Sequence, residues 1–129
     1  MLAFIASAAA VAPDITGDWV TADRTAVVRI ASCGIQRCGA VVRVLARGAA
    51  VPQTDVNNPD PARRSQPLVG LKVLTRFTAA PSAWTAGRAY DPQTGRTYNA
   101  RLSLNPDGSL AVIGCVLFIC KSQRWMRIR

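Results

Sequence analysis

The sequence predicts an all-β protein, folded as an antiparallel sandwich or closed barrel of about eight short strands. Three features favour this class. Short segments alternate apolar and polar residues, turn-forming residues recur at regular spacing, and the pattern after Pro13 is one of strands and turns. The 129 residues, half of them hydrophobic, are enough for one domain with a real core.

The strand assignments depend on alternation and on the turns that separate the strands. Residues 97–104 alternate cleanly, with Tyr98, Ala100 and Leu102 on one face and Arg101 on the other. Pro and Gly mark a turn at 91–95, because Pro fixes φ and Gly accepts a positive φ. The predicted strands are 17–21, 26–32, 39–45, 70–77, 83–90, 97–104, 109–116 and 123–128, with one helical turn near 61–65 in the long loop 46–68.

Residues 1–12, MLAFIASAAAVA, are predicted to be a signal peptide. The apolar run ends in small residues, contains A-x-A matches at 8–10 and 10–12, and is too short to span a bilayer. The alternative is an N-terminal helix packed on the domain. The signal assignment predicts a periplasmic or secreted protein whose single β-barrel domain occupies residues 13–129.

Four cysteines form two copies of one spacing, Cys33 with Cys38 and Cys115 with Cys120. An even count in an exported chain indicates disulfides, and the equal short spacings favour one bond within each copy. The alternative is a zinc site formed by all four cysteines. Zinc pairs more often have two intervening residues, and an oxidising compartment works against free thiolates.

The charge is strongly positive, with 16 Lys and Arg against 7 acidic residues and a net charge of +9. The bases are scattered singly and form no aromatic-basic cluster, so we predict no specific nucleic-acid binding. A composition bias is the simplest explanation. The second interpretation is weak, salt-sensitive contact with an anionic membrane surface.

The residue types present exclude several chemistries. The chain has no His, so Ser-His-Asp and Cys-His machinery and His metal sites are absent. It also has no Gly-rich phosphate loop. We therefore predict no catalytic residue, metal site or cofactor. The least favoured alternative is a hydrolase that uses Asp55, Asp60 and Asp91 as paired carboxylates.

Residues 55–71, DVNNPDPARRSQPLVGL, are the longest segment without strand periodicity. In a structural interpretation, Asn58 and Asp60 form turns before prolines, and Arg64 pairs with a nearby Asp. In a functional interpretation, Asp55, Asn58, Asp60 and Arg64 line the mouth of a barrel and bind a polar headgroup. Turn chemistry alone accounts for these residue types, which favours the structural interpretation.

Several short motifs together resemble the bacterial domain-of-unknown-function 2147 family. They are Gly17-Asp18-Trp19; Asn58-Pro59-Asp60-Pro61 with Arg64, Pro67, Leu68, Gly70 and Leu71; Gly87; Tyr90-Asp91-Pro92 with Gly95; Thr97-Tyr98; and Trp125-Met126-Arg127. The resemblance covers nearly all of the chain after the signal segment. It implies an exported protein with a lipocalin-like β-barrel and brings no established activity.

The Gly-x-Trp near the start and the Arg near the end also resemble the barrel-closing signature of the calycins. Trp19 on the first strand offers a broad face at the barrel floor. Arg127 on the last strand can stack on it and donate hydrogen bonds to nearby carbonyls. First and last strands must meet if a barrel closes, so Trp19, Trp125 and Arg127 are predicted structural residues. The alternative is that Trp19 is simply a core aromatic.

The second cysteine pair encloses only apolar residues, 116–119. If these residues form a hairpin tip, the tip is apolar. An exposed apolar tip indicates contact with a membrane, a partner or a ligand. The alternative is that the tip folds back and plugs the barrel.

The leading functional hypothesis is a small barrel that carries or senses an apolar or amphipathic ligand in the cell envelope. Arg64 is the candidate for an anionic headgroup, with Asp91 as a further candidate contact, and Tyr98, Ala100 and Leu102 would cover the tail. The alternative is an envelope interaction or structural protein with a filled barrel. A cavity in the barrel would separate these two hypotheses.

Overall fold

The computed structural model describes residues 10–46 and 51–128, in which the chain forms a closed antiparallel barrel. Consecutive strands are neighbours, and β1 pairs with β8 to complete the circle. The predicted all-β barrel of eight strands is therefore confirmed. The strands are β1 (Gly17–Val20), β2 (Ala26–Cys33), β3 (Gln36–Val44), β4 (Lys72–Ala80), β5 (Ala83–Asp91), β6 (Arg96–Leu104), β7 (Leu110–Val116) and β8 (Ile119–Arg127).

A 3-10 turn, Pro61–Arg63, lies in the β3–β4 connection where one helical turn was predicted. Most of the predicted signal peptide, residues 1–9, lies outside the described residues. No helix in the described part of the chain is long and apolar enough to cross a membrane.

Strand alternation decides which side chains fill the barrel. In β6, Ala100 and Leu102 are buried while Arg101 is exposed, as the alternation predicts. In β2, Val28 and Ile30 are buried and the intervening Arg29 is exposed. Because successive side chains of a strand point to opposite faces, these apolar sets converge on one interior.

Arg127 closes the barrel against the first strand. Its guanidinium carbon lies 4.3 Å from the centroid of the Trp19 ring, and the two residues are paired across β1 and β8. The guanidinium also donates to the carbonyls of Thr16 at 2.8 Å and Asp14 at 3.1 Å. The Trp19 indole donates to the Ile15 carbonyl at 2.9 Å. These contacts hold residues 14–16 across one end of the barrel.

A second arginine–tryptophan stack supports the same end. The Arg37 guanidinium lies 4.4 Å from the centroid of the Trp84 ring, and the Trp84 indole donates to the Pro13 carbonyl at 2.8 Å. Cation–π contacts of this kind are strongest where water is excluded. The segment before β1 is therefore held by the Trp19 and Trp84 indoles and by the Arg127 guanidinium, and Arg37 supports the Trp84 ring.

Glycines make room for large residues at this closed end. A methyl group at Gly87 would collide with the Phe77 ring, which is fully buried. A methyl group at Gly39 would lie 2.9 Å from a Val28 methyl. Both positions need glycine for close packing, although neither is at a turn.

The cysteines pair within each copy of the spacing. Cys33–Cys38 spans the β2–β3 turn at the closed end, and Cys115–Cys120 spans the β7–β8 turn at the opposite, open end. No cysteine in the described part of the chain is free. The disulfide prediction is confirmed, and the zinc alternative is wrong because the thiolates it needs are bonded to each other.

Several predicted strand boundaries differ from the structure, and the starts of β8 and β4 are two of them. β8 begins at Ile119 rather than at residue 123, because the β7 register continues through Cys115 and Cys120 to Val116 opposite Ile119. β4 begins at Lys72 rather than at residue 70, because Gly70 still turns with a φ of 94°. In both places a turn residue fixes where pairing starts.

We expect Arg127→Ala to lower the free energy of unfolding by about 2 kcal/mol, because it removes the stack on Trp19 and two hydrogen bonds at a partly buried site. Arg101→Ala is the matched control, since Arg101 lies on the exposed face of β6. Urea denaturation of both variants measures the difference. Equal midpoints for the two variants would contradict a closing role for Arg127.

Candidate functional site

The barrel interior is divided into a filled half and an open half. Bulky residues occupy the end where residues 13–16 cross: Ile15, Trp19, Ile30, Phe77, Trp84, Leu102 and Leu110, all at most 5% exposed. The opposite end is surrounded by the β1–β2, β3–β4, β5–β6 and β7–β8 connections. A cavity begins above the filled half and reaches this open end.

The cavity has a volume of about 960 Å³. This is at the upper end of the roughly 300–1,000 Å³ typical of small-molecule sites. Its wall is mainly aliphatic, and one inward position, Gly114, has no side chain. The barrel-strand residues of the apolar wall are Ala26, Val28, Val41, Val44, Val73, Leu74, Val112, Gly114, Val116, Ile119 and Trp125. A long or branched hydrocarbon group fits such a lining.

Tyr98 and Asp91, two of the predicted ligand contacts, border this cavity. Tyr98 lies on the inward face of β6, with its Cβ near Gly114 of β7. Asp91 lies at the β5–β6 turn, where its carboxylate accepts from the backbone N–H of Gln93 at 2.9 Å. Asp91 is therefore a turn former, as predicted, and also part of the mouth.

Two polar residues on β8 line the cavity and were missed by the sequence analysis. Lys121 and Gln123 share the inward face of β8 with Trp125. The Trp125 indole donates to the Gln123 side-chain oxygen at 3.1 Å. Because the predicted strand begins at residue 123, the sequence analysis assigns Lys121 to neither face of the strand. Lys121, Gln123 and Trp125 alternate along the chain, and this spacing could have placed all three on one face.

The carboxylates at the mouth are held by local hydrogen bonds. Asp23 accepts from Thr21 at 2.9 Å, from Thr25 at 2.8 Å and from the Gln93 amide at 2.7 Å. Burial alone would raise the pKa of Asp23, but these hydrogen bonds lower it on balance. Asp23 is thus an ionised acceptor that ties the β1–β2 turn to the β5–β6 turn.

Asp55 is the most buried polar residue of the β3–β4 connection, with no exposed surface. One carboxylate oxygen accepts from the Tyr90 hydroxyl at 2.7 Å, and the other accepts from the Asn58 amide at 2.8 Å. A buried carboxylate is tolerated when donors satisfy it. Asp55 and Asn58 therefore anchor the loop to β5 from inside, rather than facing the cavity.

The same loop is also anchored to the β5–β6 turn at the rim of the cavity. The Asn57 amide donates to the carbonyls of Pro92 at 3.1 Å and Gln93 at 3.0 Å. Gly95, with a φ of 71°, packs directly against the Asn57 carbonyl. A side chain at Gly95 would block this contact, so the close packing of the loop on the turn requires glycine at this position.

Asp60 and Arg64 lie on the exposed part of the loop. Asp60 caps the 3-10 turn by accepting from the backbone N–H of Ala62 at 3.0 Å. Arg64 donates to the Asn58 carbonyl at 2.8 Å, and the nearest ion pair is instead Arg63 with Asp60 at 3.6 Å. The cavity wall contains neither Asp60 nor Arg64. The contacts of both residues stabilise the loop itself.

The β7–β8 tip projects from the open end. β1 pairs with β8 only at Trp19–Arg127 and Val20–Met126, so the part of β8 nearer the tip pairs only with β7 among the described strands. Leu117 is 89% exposed and Phe118 is 100% exposed. The tip therefore does not plug the barrel, and Leu117 lies at the rim of the cavity.

A second cavity of about 420 Å³ lies between the loop and strands β4 to β6. Four basic residues contribute to its wall: Arg63, Lys72, Arg76 and Arg88. The described residues contain no group of three or more acidic, Cys or His side chains that could hold a metal ion.

An antiparallel eight-stranded barrel, filled at one end and hollow at the other, defines a lipocalin-like protein. The structure of "Protein HP1028 from the human pathogen Helicobacter pylori", described as belonging to the lipocalin family, is similar with a TM-score of 0.78. The two chains are 18% identical, and the similarity covers 90% of this chain and 84% of that one.

The chain belongs to a bacterial family. Residues 17–127 match the family described as "Uncharacterized protein conserved in bacteria (DUF2147)". A search of curated proteins gives no match. The resemblance that the sequence motifs implied is therefore confirmed, both in the family and in the fold.

We expect Tyr90→Phe to lower the free energy of unfolding by about 1–3 kcal/mol, because buried Asp55 loses one of its two side-chain donors. Tyr98→Phe is the matched control, since the Tyr98 hydroxyl makes no hydrogen bond within the described part of the chain. Hydrogen exchange of residues 51–71 should accelerate in Tyr90→Phe alone. Unchanged exchange would contradict the anchoring role.

We expect the stability of the folded protein to depend on pH through Tyr90, and the same two variants test this. Burial raises the pKa of Tyr90, and the hydrogen bond to Asp55 adds to the rise. Above the ordinary value of 10.0 the unfolded chain releases this proton while the folded chain retains it. Stability therefore falls as pH rises through that range. Tyr90→Phe should lose this part of the alkaline decline, while Tyr98→Phe should keep it.

Proposed function

We propose that this protein binds an apolar or amphipathic small molecule inside its barrel. The observation that carries the proposal is the apolar cavity of about 960 Å³, which is open at one end of the barrel. A cavity that already exists in the folded protein needs little reorganisation to accept a ligand. The closed end supports this role because it provides a rigid floor.

The filled-barrel alternative, an interaction or structural protein of the envelope, has less support. Such a protein needs no interior space, whereas large apolar cavities reduce stability in the absence of a compensating function. The largest side chains are concentrated at one end, and small or branched residues are concentrated at the other. This segregation favours a binding site over a packed core.

The Asp-based hydrolase alternative gains no support from the carboxylates it would use. Asp55 accepts from Tyr90 and Asn58, Asp60 accepts from Ala62, and Asp91 accepts from Gln93. Each of the three is used to fix a turn or an anchor.

We also propose that the protein works in the periplasm or outside the cell. The predicted signal peptide motivates this location. Two disulfides support it, because such bonds persist in oxidising compartments and are rare in the cytosol. The bacterial family and the lipocalin-like fold are compatible with an exported carrier.

We expect Gly114→Leu to weaken binding of an uncharged naphthylamine dye by at least about tenfold, because the new side chain occupies the cavity. A Cβ at Gly114 would meet Tyr98 at 3.5 Å, an ordinary contact, so the barrel should still fold. Ser122→Leu is the matched control, since Ser122 lies on the outer face of β8. Dye fluorescence measures binding and thermal melting monitors folding.

Equal dye binding by the folded Gly114→Leu variant and the wild type would contradict a site in the barrel. The same assay tests for a natural ligand. Native mass spectrometry of protein purified from the envelope should reveal an adduct that dissociates on organic extraction and that Gly114→Leu does not carry.

A contact with an anionic membrane surface is proposed as the route by which ligand reaches the cavity. Leu117 and Phe118 project at the rim, and the net charge of +9 attracts anionic headgroups. The exposed apolar tip consists of only four residues, 116–119, and is small beside a stable protein interface, which buries about 800 Å² on each partner. It is large enough to insert into a lipid interface.

We expect Phe118→Ser to reduce co-sedimentation with vesicles that contain anionic lipid, because Phe118 is the most exposed apolar side chain of the tip. Ile35→Ser is the matched control. Ile35 is 88% exposed and lies in the other disulfide loop, at the closed end. Binding should also weaken from low to physiological salt. Equal effects of the two substitutions would contradict docking through the open end.

A further inference from the structure

Polar residues line the mouth of the cavity, among them Asp23, Asp91 and Arg96, and two more lie on β8. There, Lys121 and Gln123 lie on the inward face above Trp125. Lys121 is paired across the sheet with Gly114, which has no side chain to cover it. A cation and an amide therefore lie beside the space that an apolar tail would occupy.

Both groups have donors that no described residue uses. Lys121 makes no ion pair within the described ranges, 10–46 and 51–128. The Gln123 oxygen accepts from the Trp125 indole, which can only donate. The amide nitrogen of Gln123 is thereby directed away from Trp125, and its N–H groups have no acceptor in the described part of the chain.

The nearby acidic residues are committed to other partners. Asp23 is occupied by Thr21, Thr25 and Gln93. Asp91 accepts from the backbone of Gln93 and from the Thr94 hydroxyl at 3.3 Å. These carboxylates fix the turns of the mouth and form no ion pair with Lys121.

Lys121 and Gln123 are exposed residues in the wall of the cavity, near its open end. A ligand whose tail fills the cavity places its outer end beside this ammonium group, which has no ion-pair partner in the described ranges. A negative headgroup there can accept charge-assisted hydrogen bonds from Lys121 and further hydrogen bonds from the N–H groups of Gln123, and a neutral end group lacks this charge.

We infer that the ligand is an anionic amphiphile whose carboxylate or phosphate headgroup binds Lys121 and Gln123, with its tail directed toward Trp125. This inference rests on the proposed function, since it assigns a headgroup site within the same cavity. It moves the headgroup contact from Arg64, which lies outside the cavity wall, to β8. Val28, Leu74 and Val112 would surround the tail.

The test compares three probes that share one alkyl tail: dodecanoate, dodecyl phosphate and dodecanol. Their dissociation constants are measured by displacement of the uncharged naphthylamine dye from the wild type, Lys121→Met and Lys72→Met. Met keeps the length of the side chain without its charge. Lys72 is the matched control because it is the only other lysine of the chain and lies outside this cavity wall.

We expect the wild type to bind at least one anionic probe about tenfold more tightly than dodecanol, as a single charge-assisted contact implies. Lys121→Met should abolish this preference and leave the affinity for dodecanol unchanged, while Lys72→Met retains the preference. The ratio between dodecanoate and dodecyl phosphate decides between the two headgroups. Dye binding by each variant reports that the cavity is intact.

Two results would overturn the inference in different ways. Equal binding of all three probes by the wild type, or an anion preference retained in Lys121→Met, refutes the headgroup site and leaves the proposed function in place. Failure of the wild type to bind the dye and every probe refutes the proposed function and the headgroup site together.

Discussion

The contact between Arg127 and Trp19 is the interaction on which the rest of the barrel depends. Strands β1 and β8 share only two residue pairs, so their backbone hydrogen bonds alone make a short seam. The stacked guanidinium strengthens this seam and also holds the carbonyls of Asp14 and Thr16. One side chain therefore joins the first strand, the last strand and the segment that covers the barrel floor.

Closure at one end explains why space remains at the other. The large side chains, among them Trp84 and Phe77, are gathered around the N-terminal segment, and Gly87 lets Phe77 approach its neighbours. Toward the opposite end many inward positions are Ala, Val or Gly, and the side chains there do not fill the barrel. An eight-stranded barrel is just wide enough to be filled by side chains or to hold one small ligand. In this protein side chains fill one half of the barrel, and the other half is hollow.

The open end is ordered by polar contacts rather than by packing. Asp55 joins the long loop to Tyr90, and Asn57 joins it to the β5–β6 turn. The Cys115–Cys120 bond fixes the tip beside them. A mouth held in place before binding loses little conformational entropy when a ligand enters, which is an advantage for a carrier. Phe118 at the tip stays fully exposed to water, so only a separate molecule can cover it.

The sequence by itself determined the strands, the fold class, the disulfide pairing and the family, because these depend on local alternation, turn residues, cysteine spacing and short motifs. The strand and turn pattern predicted a sandwich or a barrel, and the Gly-x-Trp motif with Arg127 favoured the closed barrel. The site residues were predicted less well. Asp91 and Tyr98 border the cavity as predicted, but Arg64 lies outside the cavity wall, and Lys121, which was not predicted, lies in it. Only the tertiary structure decided this. Which face of a loop or hairpin meets a cavity depends on the register between distant strands, here that of β8 with β7 and β1, and no local pattern encodes it.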